Sequence, residues 1–277
     1  MATHLPVIGG HAEGFGKTFR NDDWWKGPLV TFLVFTTFVV YTTWAALQGD
    51  HYYHGPYLSP FYSPVLFTTP ESMHIAGAAP ESHAWFGTFP SWWPAMIPLS
   101  PAILILVFPG GFRFTCYYYR KAYYRSFAMT PPACAVGAAR PGAYNGERKL
   151  LIFQNLHRFA MYFALLFLVF LWHDFIKSLS FEGKAHFGVG CLVIFANCTF
   201  LSLYTMSCHS FRHLVGGNVN SYSEAPFGML RHKLWNIVSK LNVGHMSFAW
   251  VSLFGVALCD LYIRSVASGA ITDIRFF

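Results

Sequence analysis

The stretch LLIFQNLHRFAMYFALLFLVFLW, residues 150–172, decides the fold. After Arg158 it contains no charged residue, and it is long enough to cross a bilayer, which takes about 20 predominantly apolar residues in a helix. The composition of the whole chain agrees, because 54% of its 277 residues are hydrophobic and only 11% are charged, whereas about 25% of the residues in a soluble domain are charged. We therefore expect an integral membrane protein.

Four further segments have a similar length and composition. The five predicted transmembrane helices are Pro28–Leu47, Trp93–Phe112, Leu150–Trp172, Phe187–Ser207 and Val243–Ile263. Several prolines lie in the second segment, from Pro94 to Pro109, so this helix should be kinked. No repeat or linker divides the chain. The sequence therefore predicts one all-α transmembrane domain over residues 1–277, a bundle of five helices with an outer loop at residues 48–92.

The distribution of basic residues predicts the orientation in the membrane. The connection Gln48–Ser91 contains no Lys or Arg, whereas basic residues are frequent from Arg113 to Lys149 and again from Arg212 to Lys240. Cytoplasmic loops carry an excess of Lys and Arg, so the N-terminus should lie in the cytoplasm and the C-terminus outside. The formal net charge of +7 then belongs to these loops, and we expect no nucleic-acid partner.

Histidine and cysteine side chains gather near the predicted cytoplasmic ends of the helices. They come from several segments and fall at similar depths, within about two turns at 1.5 Å per residue. The group comprises Cys116, His157, Cys208, His209, His213 and His245. Ionisable groups within a membrane are costly and usually functional, so we expect a metal site here. Cys191, Cys198 and Cys259 are expected to be packing residues, because free cysteine is commonly buried.

Two kinds of metal site suit this group. A haem b needs two histidines on different helices, and His157 opposite His209 or His245 would serve. A Rieske-type [2Fe–2S] cluster needs two cysteines on one iron and two histidines on the other, and Cys116 and Cys208 with His157 and His245 meet that count. The sequence contains no C-x-x-C pair, so the residues alone leave both kinds open.

The predicted outer face offers a second candidate site. Its loop is aromatic and punctuated by proline, and the third predicted helix ends beside it at Trp172 and His173. Aromatic walls with a few hydrogen-bonding groups can hold a quinone head, which makes Tyr53, His54, Trp172 and His173 candidate quinone-binding residues. This face lies most of a membrane thickness, about 30 Å, from the cytoplasmic group, and that distance favours a pocket nearer the group.

Three motifs resemble a known family of membrane anchors. They are TCYYYRKAYYR at residues 115–125, PPAC at residues 131–134 and SCHSFRHLVGG at residues 207–217. With five helices and a basic cytoplasmic face, they make the chain similar to the membrane anchor of succinate dehydrogenase and fumarate reductase. The motifs resemble most the single-anchor branch of that family in actinobacteria, including mycobacteria. The resemblance covers nearly the whole chain.

The resemblance implies a place in a respiratory enzyme. A flavoprotein subunit and an iron–sulfur subunit would bind on the cytoplasmic face, and electrons from succinate would reduce a quinone through this subunit, which is not catalytic alone. The chain would be a multi-pass protein of the plasma membrane, and the resemblance leaves room for a higher oligomer of the complex. The basic residues expected to dock the iron–sulfur subunit or anionic headgroups are Arg113, Arg120, Lys121 and Arg125.

The resemblance also bears on the cofactor. Most five-helix anchors of the family hold two haem b groups on four histidines, yet the first two predicted helices contain no histidine. The actinobacterial branch therefore implies a Rieske-type cluster, with Cys134 as a rival to Cys208, and with His209 and His213 as rivals to the other histidines. Two alternatives stay open: a haem b anchor of another respiratory enzyme, such as a hydrogenase or formate dehydrogenase, and a transporter with ionisable groups along its helix centres.

Overall fold

The computed structural model describes residues 14–140 and 154–277. Its described helices, in chain order, are α1 (Lys26–Gln48), α2 (Pro101–Ile105), α3 (Val107–Thr115), α4 (Tyr117–Ala122), α5 (His157–Ser178), α6 (Val189–Met206), α7 (His209–Arg212), α8 (Gly228–Val243) and α9 (His245–Ala267). Two π-helical segments, Tyr123–Phe127 and His213–Gly217, follow α4 and α7. Four of the described helices, α1, α5, α6 and α9, are long and apolar enough to cross a membrane.

These four long helices correspond to the first, third, fourth and fifth predicted segments. Each follows an apolar run of the sequence, and the observed ends differ from the predicted ones by a few residues. The third predicted segment differs most, since its predicted start at Leu150 lies outside the described residues and α5 begins at His157. Hydropathy along the chain was sufficient to find these four helices.

The second predicted segment, Trp93–Phe112, does not form one long helix, and the prediction of five long spanning helices was wrong. Of the residues that the structure describes, those at 93–99 form turns and bends, and helix begins only at Pro101. The helix is interrupted again at Leu106, before α3. Proline lacks a backbone N–H and clashes with the preceding turn of a helix. Pro101 and Pro109 are accommodated because each lies in the first turn of a short helix.

The described chain divides into two compact units, and the prediction of a single domain stays a prediction. Of the described residues, the first unit contains those up to Thr37 together with 115–140 and 154–156, and the second contains Phe38–Phe114 together with His157–Phe277. In the first unit, aromatic side chains of α1 contact the α4 region: the ring centroids of Phe35 and Tyr119 are 5.0 Å apart.

Helices α5, α6 and α9 form the core of the second unit. Their buried side chains share a hydrophobic cluster that includes Cys191, Ile194, Cys198, Cys259 and Ile263, each at most 4% exposed. The three cysteines are packing residues, as the sequence predicts. Free cysteine behaves in such a place as a small apolar side chain.

The loop between α1 and α2 belongs to the second unit and is closely packed. It contains a short hairpin, Tyr53–His54 with Tyr57–Leu58, and the 3₁₀ turns Glu71–Met73 and Glu81–His83. The rings of Tyr52 and Tyr62 are fully buried and stack with centroids 4.1 Å apart. The Tyr62 hydroxyl donates a hydrogen bond of 2.6 Å to the carbonyl of Ala45 near the end of α1.

A buried charge network, which we call the aspartate end, joins this loop to α1 and α9. Asp260 is fully buried in α9, and its carboxylate accepts hydrogen bonds from Tyr41 (2.6 Å) and from Ser59. Arg264, one turn further along α9, lies 3.4 Å from the same carboxylate and donates to the carbonyl of Asp50 at 3.0 Å. Buried charges are tolerated when they are paired and hydrogen-bonded, and both conditions hold here.

The C-terminal residues fold back onto the start of α6. The backbones of Phe187 and Phe277 are hydrogen-bonded at 3.0 Å, and the carboxylate of Asp273 accepts hydrogen bonds from Tyr57, Tyr262 and the backbone N–H of Gly190. Partial burial raises the pKa of Asp273, but these hydrogen bonds outweigh it and hold the pKa of the carboxyl below its ordinary value. In the loop between α5 and α6, the short strands Ser180–Phe181 and Lys184–Ala185 pair with each other.

Candidate functional site

Two of the predicted ligands meet where α5 begins and α6 ends. His157 is the first residue of α5, and Cys208 lies in the bend after α6, where its thiol accepts a hydrogen bond from the backbone N–H of Ser210 at 3.4 Å. The ring nitrogen Nε2 of His157 is 3.0 Å from Sγ of Cys208. Both side chains are buried, with 8% and 2% of their surface exposed. Their direct contact could not be read from their positions in the chain, so it is a result of the tertiary structure.

A third predicted ligand, His245, is buried close to the same bend. It is the first residue of α9, and its Nδ1 lies 2.7 Å from the hydroxyl of Ser207, the residue before Cys208. Its ring stacks on that of Tyr204 with centroids 5.2 Å apart and planes 16° from parallel. The adjacent sequence positions of Ser207 and Cys208 therefore place the two histidines at one end of the second unit.

A chain of aromatic rings connects the two histidines. Phe112 stacks on His157 with centroids 4.7 Å apart, Tyr204 meets Phe112 edge to face at 5.3 Å, and Tyr204 in turn stacks on His245. We call His157, Cys208 and His245, with Phe112 and Tyr204, the histidine end. It is built from α3, α5, α6, α9 and the bend after α6, and it combines ligand-type side chains with packed aromatic rings.

Arg113, the residue after Phe112, also lies next to the histidine end. Its guanidinium lies over the ring of Tyr204, 4.7 Å from the centroid, and donates to Ser252 Oγ at 3.0 Å and to the carbonyl of Ala249 at 3.3 Å. The sequence analysis expected this side chain to dock a partner subunit or headgroups. The observed contacts are instead with α6 and α9 inside the second unit.

An apolar cavity of about 170 Å³ lies next to the histidine end. Its walls are mostly hydrophobic and come from α1, the loop after it, α3, α5, α6 and α9, with Phe38, Phe61, Phe167, Leu168, Leu201 and Val256 among the lining residues. Phe112, Arg113, Tyr204 and Thr205 line it as well. An apolar protein cavity of about 150 Å³ can bind benzene, so this one has room for an aromatic ring beside a permanent positive charge.

The remaining predicted ligands belong to other elements of the chain. His209 and His213 are exposed, in α7 and at the start of the following π-helical segment. Cys116 is buried at the junction of α3 and α4, in the first unit. Cys134, also in the first unit, is exposed, and its thiol accepts a hydrogen bond from Arg125 at 3.3 Å.

The described residues do not support the predicted Rieske-type cluster. Such a cluster takes four ligands, two thiolates and two imidazoles. Among residues 14–140 and 154–277, no group of three or more His, Cys, Asp or Glu side chains is arranged to hold a metal ion. The contact between His157 and Cys208 brings one imidazole and one thiol together. The haem b alternative stays a prediction.

The four residues predicted to bind a quinone at the outer face have different surroundings. The Trp172 indole donates to Ser202 at 3.0 Å, and the ring of Tyr53 lies 5.2 Å from that of His83. His54 is exposed. His173 lines a small cavity of about 30 Å³ with His83. Their role as a quinone site stays a prediction.

Sequence reasoning missed two features of the site and its scaffold. Tyr204 was not singled out, although it lies one turn before Cys208 and contacts His245, Phe112 and Arg113. Asp260 and Arg264 were also missed. Their spacing of four residues places them on one face of a helix, and that spacing was the available signal.

The comparisons with known proteins agree with one another. The family model for the actinobacterial succinate dehydrogenase subunit SdhC matches residues 26–269. The chain is similar to a chain of the Mycobacterium smegmatis Sdh1 complex in the apo form, with 40% sequence identity, a TM-score of 0.81 and 94% of each chain covered. No curated protein matches the sequence.

The family match confirms the predicted resemblance and sets aside the hydrogenase-type, formate dehydrogenase-type and transporter alternatives. The prediction that the chain is one subunit of a larger enzyme is confirmed, and so is its predicted location as a multi-pass protein of the plasma membrane. A model that matches most of the sequence, and a solved structure that shares its fold over nearly the whole chain, lead to the same assignment. The chain belongs to the actinobacterial family of SdhC subunits of succinate dehydrogenase.

Proposed function

We propose that this chain is the membrane anchor through which a succinate:quinone oxidoreductase reduces its quinone. Membership of the SdhC family supports the assignment to succinate dehydrogenase. The solved structure with 40% sequence identity is a chain of an Sdh1 complex. The observation that carries the quinone-reducing role is the apolar cavity of about 170 Å³ that Arg113 lines within the second unit. The catalytic oxidation of succinate would take place on partner subunits, and this chain would receive the electrons.

The cavity suits the head of a quinone for two reasons. Its hydrophobic walls match an apolar ring, and Arg113 and Tyr204 bring donor groups to one part of the lining. The carbonyl oxygens of a quinone accept hydrogen bonds and become more negative as electrons arrive. A guanidinium is always protonated in proteins, so Arg113 would stabilise that charge before two electrons and two protons complete the quinol.

The histidine end is the proposed entry for electrons. It lies beside the cavity and contains groups that can hydrogen-bond or hold a metal, namely His157, Cys208 and His245. His157, Cys208 and His245 are of the ligand types that a Rieske-type cluster uses, and no step is assigned to that cluster. Iron quantification and EPR of the purified complex test the cofactor. A rhombic signal of low average g would restore the mixed Cys/His cluster, and a strong haem Soret band without that signal would favour haem b.

The proposed partners are a flavoprotein subunit and an iron–sulfur subunit on the cytoplasmic face. The predicted orientation, with the N-terminus in the cytoplasm, places the histidine end on that side, where the iron–sulfur subunit would dock. A site at the outer face would lie about 30 Å away, beyond a single transfer from a donor at the histidine end. We therefore favour the cavity over Tyr53, His54, Trp172 and His173 as the quinone site.

The test replaces Arg113 in the whole complex by Met or by Lys. We expect Arg113→Met to lower the rate of quinone reduction by succinate roughly 100- to 1,000-fold, since removal of one preorganised donor to a developing oxyanion has an effect of about that size. Arg113→Lys should keep part of the rate, because it keeps the charge without the planar guanidinium. The reduction of a water-soluble dye by succinate should not change.

Arg231→Met is the matched control, since Arg231 lies on α8 and its guanidinium donates a hydrogen bond to the side chain of Asn218. It should leave both rates unchanged. A normal rate of quinone reduction in Arg113→Met would contradict the assignment of the cavity. If only the variants at Tyr53 or His54 lowered that rate, the quinone site would belong at the outer face.

A further inference from the structure

Helix α8 carries an apolar face that the rest of the described chain does not cover. The helix runs from Gly228 to Val243, between two membrane-spanning helices, and only Gly244 separates it from α9. Three of its apolar side chains, Leu230, Leu234 and Ile237, are 54%, 38% and 48% exposed. With Leu241 they recur at intervals of four and three residues, which places them along one stripe of the helix.

The face of α8 next to this stripe is held against the end of α6. Val238 is buried, and the side-chain amide of Asn242 donates to the carbonyl of Ser207 at 2.7 Å. The guanidinium of Arg212 lies over the ring of Trp235, 4.5 Å from its centroid. These contacts fix α8 at the level where α6 ends and α9 begins, which is the level of a membrane surface if both helices span the bilayer.

Positive charge lies beside the exposed stripe. Lys233 and Lys240 are exposed and are seven residues, or two turns, apart. On a helical projection they lie next to Leu230 and Ile237. The sequence of α8 contains no Asp or Glu, so nothing on the helix neutralises the two lysines.

We propose that α8 lies in the membrane interface and binds anionic phospholipid headgroups. Its stripe would enter the boundary of the acyl chains, and Lys233 and Lys240 would contact the headgroups, which is the arrangement of interfacial amphipathic helices. A lipid surface fits better than a protein partner because the helix leads directly into a spanning helix, whose first turn exposes a further apolar side chain, Met246 (49% exposed). This inference does not depend on the quinone site.

The first experiment measures the surroundings of the stripe in the whole complex. The complex with Ile237→Cys is labelled with a nitroxide and placed in vesicles of phosphatidylcholine and phosphatidylglycerol. The signal of the wild-type complex, labelled in the same way, is subtracted to remove the contribution of the native cysteines. We expect the label to collide with oxygen, which concentrates in the bilayer, severalfold more often than with a water-soluble nickel chelate. Leu230→Cys is a second site on the same stripe. Asn236→Cys, on the polar side, should show the reverse ratio.

Each result decides the proposal. Low collision rates with both reagents at position 237 would mean that another subunit covers the stripe, and frequent collisions with the nickel chelate would mean that it faces water. Either result overturns the proposal.

The second experiment adds Lys233→Gln and Lys240→Gln to the labelled protein. We expect the ratio of oxygen to nickel collisions to fall about twofold or more in vesicles with phosphatidylglycerol and to stay constant in pure phosphatidylcholine.

Lys184→Gln is the matched control for the loss of charge, because Lys184 is exposed on a short strand between α5 and α6. It should leave the ratio at position 237 unchanged in both kinds of vesicle. An equal ratio in the double lysine variant and in the parent, with phosphatidylglycerol present, would overturn the binding of anionic headgroups.

Discussion

The histidine end and the aspartate end both bury polar side chains in the second unit, but they do so in different ways. At the histidine end, His157 and His245 stack on aromatic rings beside a cavity. At the aspartate end, Asp260 and Arg264 form an ion pair supported by hydroxyl and carbonyl partners. The two ends are separated by about 22 Å along α9, at 1.5 Å per residue.

This difference teaches that burial of a polar group does not by itself mark a site of chemistry. The carboxylate of Asp260 is already bonded to Tyr41, Ser59 and Arg264, and such a network holds helices in place. The histidine end combines a thiol and imidazoles, which can bind metal or exchange protons, with space for a ligand. We therefore expect changes at the aspartate end to lower stability and changes at the histidine end to lower activity.

The largest expected effect is the loss of stability in Asp260→Asn. Removal of one partner from a buried ion pair leaves the other charge unpaired and costs about 3–5 kcal/mol. The thermal unfolding midpoint of the purified complex and the amount of subunit in membranes would both fall. Ser265→Ala, at a half-buried position on the same helix, is the control. Because paired apolar replacements often restore stability, Asp260→Leu with Arg264→Met should recover part of the loss.

The second effect, at the histidine end, should appear in activity. We expect the double variant His157→Ala and His245→Ala to lower quinone reduction tenfold or more, while dye reduction by the soluble subunits persists. Lost packing and hydrogen bonds should cost less stability than in Asp260→Asn, about 1–3 kcal/mol. Both rates and the unfolding midpoint are measured on the same preparation.

His74→Ala is the matched control, since His74 is exposed in the loop between α1 and α2. It should leave the rates and the midpoint unchanged. Normal quinone reduction in the double variant would remove both buried histidines from the proposed path of electrons. A loss of stability as large as that in Asp260→Asn would remove the distinction between the two ends.

The smallest expected effect is the dependence of stability on pH at Asp273. The pKa of this carboxyl in the folded protein lies below its ordinary value of 3.8, so its ionised form stabilises the fold above that value. The contribution is lost as the pH falls through the lowered pKa. Since the side chain is partly exposed, we expect only about 1 kcal/mol.

The measurement compares the unfolding midpoint of Asp273→Asn with that of the wild-type complex between pH 3 and pH 7. The difference should be largest near neutral pH and should shrink below about pH 4, since protonation of Asp273 removes the advantage of the wild type. A difference that stays constant over the whole range would show that the hydrogen bonds of Asp273 do not depend on its charge.

The candidate site could be predicted only in part. The sequence identified His157, Cys208 and His245 by their common depth, and the structure places all three at one end of the second unit. It could not predict that Phe112 and Tyr204 lie between the two histidines, because stacking depends on how each helix is rotated about its axis. Arg113 was taken for a surface charge for the same reason, since its position at a helix end does not say which way the side chain points.

The sequence by itself determined the class of protein, four of the membrane-spanning helices and the family, because apolar runs and motifs are local properties of the chain. It misjudged the segment after Trp93, where closely spaced prolines break the helix that its hydropathy predicts. Only the tertiary structure decided which side chains meet, as in the contact of Tyr41 with Asp260, 219 positions apart. Such contacts depend on the packing and rotation of the helices, which hydropathy does not encode.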